Sequence, residues 1–180
     1  GASVLEMKDV YLMHPLVSYP IGVLGLLVQT DALVLGRYLQ LSLNALSIPL
    51  TYILARNIGF GRSLSIVAAV NLSILRGYWE GASHFWPDSQ FTLLLMSSCI
   101  LFATILRKED SGRWHVLISA GFLILSTLTR EHTPLILILP FGFLFMNRMF
   151  SGELSRGKAT RIAVSHIGAI LISYTLMTTG

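Results

Sequence analysis

Charge is what this sequence has least of. Asp, Glu, Lys and Arg make up 12% of 180 residues, where a soluble domain carries roughly a quarter. So few charged side chains cannot build a solvated skin, which excludes a water-soluble enzyme and a disordered tail. Cysteine is nearly absent too. Cys99 stands alone in an apolar run, so no intrachain disulfide forms. No Cys/His spacing of a metal site occurs. The pI of about 9.5 invites a nucleic-acid partner, but the 13 Lys and Arg form no stripe, and that partner is excluded. No secretory leader pattern opens the chain at Gly1. The chain is therefore expected to be a piece of a larger polytopic protein, with residues 1–180 forming one transmembrane domain.

What is present is apolar. Hydrophobic residues reach 53% and mean hydropathy is +0.68, the composition of a helical protein in a bilayer. The expected class is all-α, a polytopic transmembrane helix bundle. Six runs bounded by charges or breakers read as spans: 38–55, 63–75, 89–106, 114–129, 133–147 and 162–177. The stretch Arg130-Glu131-His132-Thr133-Pro134 separates the fourth from the fifth as a tight hairpin. A further run, 16–28, is short and carries Pro20, Gly22 and Gly25, so it is expected as an interfacial or re-entrant N-terminal helix.

With six crossings the loops sort onto two sides. One side holds Arg56, Arg62, Arg107, Lys108, Arg113, Arg148, Arg156, Lys158 and Arg161 against Glu109, Asp110 and Glu153. The other holds Lys8, Arg37, Arg76 and Arg130 against Glu6, Asp9, Asp31, Glu80, Asp88 and Glu131. The positive-inside rule makes the first side cytoplasmic. Its basic residues read as topology determinants with anionic lipid as their natural partner.

Residues with chemistry collect on the acidic side. Asp88 follows Pro87 at the start of a span, where it either caps the helix or turns its carboxylate to a cavity, to bind a metal-phosphate headgroup or a sugar hydroxyl. Arg130 and Glu131 either pair at the interface or present a guanidinium to a phosphate. His14 and His84 are polar anchors or substrate contacts. Trp79 and Trp86 belong to an aromatic belt or a sugar-stacking platform. Arg76 and Glu80 have helix-pair spacing. Gln40 and Asn44 within the first span read as interhelical hydrogen-bond glue, and Pro49 as a kink.

The order of these features resembles the GT-C superfamily of polytopic glycosyltransferases, in particular the branch of protein O-mannosyltransferases and lipid A aminoarabinose transferases. The resemblance runs from about Tyr11 to Phe150. It rests on His14-Pro15-Leu16, Arg37, Ala55-Arg56-Asn57-Ile58-Gly59-Phe60-Gly61-Arg62, Trp86-Pro87-Asp88 and Leu128-Thr129-Arg130-Glu131 before Thr133-Pro134-Leu135. It implies inverting transfer of a sugar from a polyprenyl-phosphate donor to an acceptor protein, lipid or glycan on the non-cytoplasmic face. Asp88 matches the family's outer-turn Asp and Arg130 its holder of the carrier phosphate; with these, Asp9 is read as a second catalytic carboxylate, and Glu131, His84 and His14 as further substrate-binding residues of the acidic side. The family places its general base just after a first transmembrane helix that this chain does not contain. Glu6 and Asp9 are the only acidic residues before His14.

No cofactor is evident, and a divalent metal at the carrier phosphate stays open. The expected location is the plasma membrane or endoplasmic reticulum, with basic loops cytoplasmic. The alternatives are a non-catalytic membrane subunit, a transporter fragment, or a plain structural scaffold. A transporter is expected to show interrupted spans in matching positions, which the sequence does not display.

Overall fold

The computed structural model describes residues 15–29, 31–83, 88–107, 112–129 and 134–179, and every regular element among them is an α-helix. These helices are α1 (Pro15–Val28), α2 (Ala32–Ile58), α3 (Arg62–Ile74), α4 (Arg76–Ser83), α5 (Asp88–Arg107), α6 (Arg113–Thr129), α7 (Pro134–Phe150) and α8 (Arg156–Thr179).

Local chemistry sets the ends. Pro15 and Pro134 occupy first helical positions, where a missing N–H costs nothing. α2 closes with Gly59 at φ +115, its N–H 3.2 Å from the Arg56 carbonyl oxygen, while the Phe60 N–H reaches the Ala55 oxygen at 3.0 Å. That is a Schellman cap. α3 stops because Leu75 is extended, at φ −68 and ψ 109. Gly152, at φ +76, turns the chain out of α7.

Three helices are long and apolar enough to cross a bilayer: Val34–Ile58, Asp88–Arg107 and Arg156–Leu176. The expectation of about six spans is met only to that extent. α3 has 13 residues, and α6 and α7 have 17 each. At 1.5 Å per residue these rise about 20 and 25 Å, short of a ~30 Å hydrocarbon core. α3 is short because Leu75 divides the apolar run from the Arg76–Glu80 segment. α6 and α7 are short because Gly112, Pro134 and Gly152 bound them. α1, with 14 residues, is shorter than a span, as expected for 16–28.

The helices run alternately up and down, with α3 and α4 together returning the chain from α2 to α5. α2 and α5 therefore run in the same direction. Thr51 Oγ1 lies 3.7 Å from Met96 Sδ, Asn57 donates to Thr104 Oγ1 at 3.1 Å, and Arg107 donates to the Arg56 carbonyl at 3.0 Å. Arg56, Arg62, Arg107, Arg113, Arg148 and Arg156 thus share one end of the bundle. Asp31, Asp88 and the last residue of α6, Thr129, share the other.

Packing centres on α5, α6 and α8. One cluster joins Phe102, Ile105, Leu106, Val116, Leu154, Ala159 and Ile162 toward the basic end. A second joins Phe91, Leu95, Cys99, Ala120, Leu123 and Ala169 above it. Ser98, Ser119 and Thr127 are buried between helices, while Val67, Ile74, Ile167 and Leu171 face outward.

Ile105 is fully buried, whereas Val67 is 56% exposed. Ile105→Ala is expected to destabilise the bundle by about 2–5 kcal/mol. Val67→Ala should change stability by under about 0.5 kcal/mol. Denaturant unfolding of the purified chain in mild detergent measures both.

Candidate functional site at the acidic end

A cavity of about 300 Å³ lies between α2, α5 and α6, lined by Leu39, Leu43, Gln90, Leu93, Leu94 and Leu125. Asp88 opens α5 two residues before Gln90 and is half-buried. A carboxylate in a first turn is held favourably by the helix dipole. Leu125 lies one turn before Thr129, whose hydroxyl donates to the Leu125 carbonyl at 2.5 Å. The start of α5 and the end of α6 therefore flank the same end of this cavity.

Beside the cavity, α2 carries a polar stripe: Gln40, Asn44, Ser47 and Thr51, spaced so that they share one face. Gln40, Asn44 and Ser47 are buried. Asn44 holds the break between α3 and α4. Its Nδ2 donates to the Tyr78 carbonyl at 2.8 Å, and the Tyr78 hydroxyl donates back to the Asn44 carbonyl at 2.9 Å. The Trp79 indole N–H donates to the Ser73 carbonyl at 2.7 Å, satisfying an acceptor that the end of α3 leaves over. Tyr78 and Trp79 meet edge to face with centroids 5.7 Å apart. Trp79 thus caps the end of α3 through its indole N–H.

Of the glue residues read from sequence, Asn44 makes its interhelical bond and Gln40 does not. Gln40 Nε2 and Oε1 and Asn44 Oδ1 are buried without a hydrogen-bond partner. Each such atom costs roughly 1–3 kcal/mol of desolvation. Arg76 and Glu80 form the expected pair, at 2.6 Å.

Among the sequence candidates, Asp88 lies at this end of the bundle. Asp9, His14, His84, Arg130 and Glu131 lie outside the described residues. Among the described residues no group of three or more His, Cys, Asp or Glu could hold a metal ion.

The structure adds a polar knot that the sequence reading passed over. Ser98 Oγ donates to the Ser119 carbonyl at 2.9 Å, and Ser119 Oγ lies 3.0 Å from the Ser98 carbonyl oxygen. Ser119 Oγ is also 3.1 Å from His166 Nε2, while His166 Nδ1 faces the Ile162 carbonyl at 2.9 Å. The imidazole can donate from Nδ1 to the Ile162 carbonyl, and the single hydroxyl proton of Ser119 is shared between the Ser98 carbonyl oxygen and Nε2. The signal was a histidine inside a predicted span, one turn from its start at residue 162. The knot ties α5, α6 and α8 together near the second core cluster, away from Asp88.

Comparison of the chain with protein-family models, with curated proteins and with solved structures gives no match.

Replacing Gln40 by Leu removes two orphaned atoms and is expected to raise the thermal unfolding midpoint in detergent. Asn44→Ala removes the bond that ties α2 to the Tyr78 carbonyl of α4 and should lower stability by about 0.5–1.5 kcal/mol. A fall for Gln40→Leu would mean that its amide is bonded in the folded protein.

Proposed function

We propose that this chain is membrane-embedded machinery of a glycosyltransferase that moves a sugar from a polyprenyl-phosphate donor to an acceptor on the non-cytoplasmic face. The single observation that carries the reading is the cavity flanked by the start of α5, with Asp88, and by the end of α6, after which Arg130 follows in the chain. The order of short motifs that resemble the GT-C superfamily supports it, as does the collection of basic residues at the opposite end of the bundle. On this reading the alternating helices make about six passes, the shorter ones extended by flanking residues. α1 rests at the interface, and the basic end is cytoplasmic by the positive-inside rule.

The chemistry asks for two things. A carboxylate, Asp88 or Asp9, takes the proton of the acceptor hydroxyl. The carrier phosphate leaves as an anion, so it needs positive charge more than a proton, and the Arg130 guanidinium supplies it. Glu131, His84 and His14 complete the substrate contacts. Inversion at the anomeric carbon follows from attack opposite the leaving phosphate.

A second reading, a transporter or non-catalytic subunit, has one observation in its favour. The return pass is a discontinuous helix, α3 and α4, with buried amides beside its break. Discontinuous helices line substrate paths in transporters.

Full-length protein in liposomes, supplied with a polyprenyl-phosphate-linked sugar, separates the two. Under the transferase reading Asp88→Asn lowers sugar transfer by about 10²–10⁴-fold if Asp88 is the base. Arg130→Ala raises the donor concentration needed. Transfer unchanged in both variants would sink the proposed site, and solute flux without transfer would favour the second reading.

A further inference from the structure

A second cavity, of about 170 Å³, lies at the other side of the bundle, between α5, α6, α7 and α8. Leu95, Phe102, Leu123, Phe145, Ile162 and Ile170 line most of it. His166 also borders it, but both of its ring nitrogens face partners already, Ser119 and Ile162. The cavity therefore offers no free polar hook. Apolar cavities of ~150 Å³ stay dry and take apolar guests.

Position decides which guest. Ile162 to Ile170 extends about 12 Å along α8, most of one leaflet's ~15 Å of hydrocarbon. Ile167 lines the cavity and is 58% exposed on the outer face of α8, so the opening is sideways, where lipid lies.

The foot of the cavity is basic. On α7, Gly142 and Phe145 line it, and Arg148 follows three residues on, along the same face. On α8, Ala163 and Ile167 line it, and Arg156 lies on their stripe seven residues before Ala163, about 10 Å down the axis. The headgroup layer is roughly 5–7 Å thick on each side of the core, so both arginines sit where a phosphate would. Glu153 engages Arg148 at 2.5 Å. Arg156 is exposed, and its guanidinium makes no hydrogen bond or ion pair among the described residues.

We propose that the wedge between α7 and α8 binds one anionic phospholipid of the leaflet at the basic end, with an acyl chain in the cavity and its phosphate between Arg148 and Arg156. This site is separate from the cavity near Asp88 and does not depend on the transferase reading.

The test places the full chain in nanodiscs of phosphatidylcholine, with either phosphatidylglycerol or phosphatidylcholine carrying a photoactivatable acyl chain. Crosslinked residues are mapped by mass spectrometry. Phosphatidylglycerol should label the cavity residues Phe102, Ile162 and Ile167 in preference to phosphatidylcholine. Arg156→Gln should reduce that preference about fivefold, the effect of one basic side chain at an anionic surface. Gly142→Leu fills the cavity from α7. A Cβ at Gly142 meets nothing within 4 Å, so the added side chain starts without a clash. Ala163→Leu fills it from α8 and serves if the first variant does not fold. Both should abolish cavity labelling while phosphatidylglycerol still associates with the surface. Equal labelling by the two lipids overturns the proposal. So does labelling that survives both filling variants, or a preference unaffected by Arg156→Gln.

Discussion

The outside of this bundle is apolar, so polar groups on the inside have to find their hydrogen bonds within the protein. In a bilayer, water would not be there to take an unpaired carbonyl or amide, and each one left over costs roughly 1–3 kcal/mol or more. The rest of the structure follows from how that demand is met. Ser98, Ser119 and His166 meet it by closing a knot across three helices. Small side chains at that crossing let α5 and α6 approach closely, and the apolar clusters pack above and below.

The same demand explains the broken return pass. Ending α3 at Ile74 frees carbonyls that a continuous helix would have used. Trp79 and Asn44 supply the missing order, one capping the end of α3 and the other holding Tyr78 of α4. Among the described residues, both amide atoms of Gln40 and one of Asn44 stay unsatisfied, on α2 beside Leu39 and Leu43 of the cavity lining. Buried polar groups kept at a cost in stability are often functional. Those buried atoms lie at the end of the molecule that holds the candidate site, and the lipid wedge on the other side of the bundle is a separate feature.

Much of the fold was legible in advance. The apolar runs 89–106 and 162–177 appear as α5 and α8, and 38–55 lies within α2. The Arg76–Glu80 pair and the interhelical role of Asn44 were readable from spacing alone, because helix periodicity fixes which side chains share a face. The run 63–75 was harder. Its hydropathy continues smoothly to Leu75, and nothing in composition shows that the backbone turns extended there. Gln40 and Asn44 carry the same amide, yet one finds a partner and the other does not, because only Asn44 lies level with Tyr78.

By itself the sequence determined the class, an all-helical apolar chain, and the placement of basic residues at alternate turns. These follow from composition and from the order of charges along the chain, which no folding event can change. Only the tertiary structure decided which helices reach spanning length and where the return pass breaks. It also decided that the start of α5, where Asp88 lies, and the end of α6 flank one cavity, and that Arg148 and Arg156 stand below an apolar wedge. Such facts depend on contacts between residues far apart in sequence, and local periodicity carries no record of those distances.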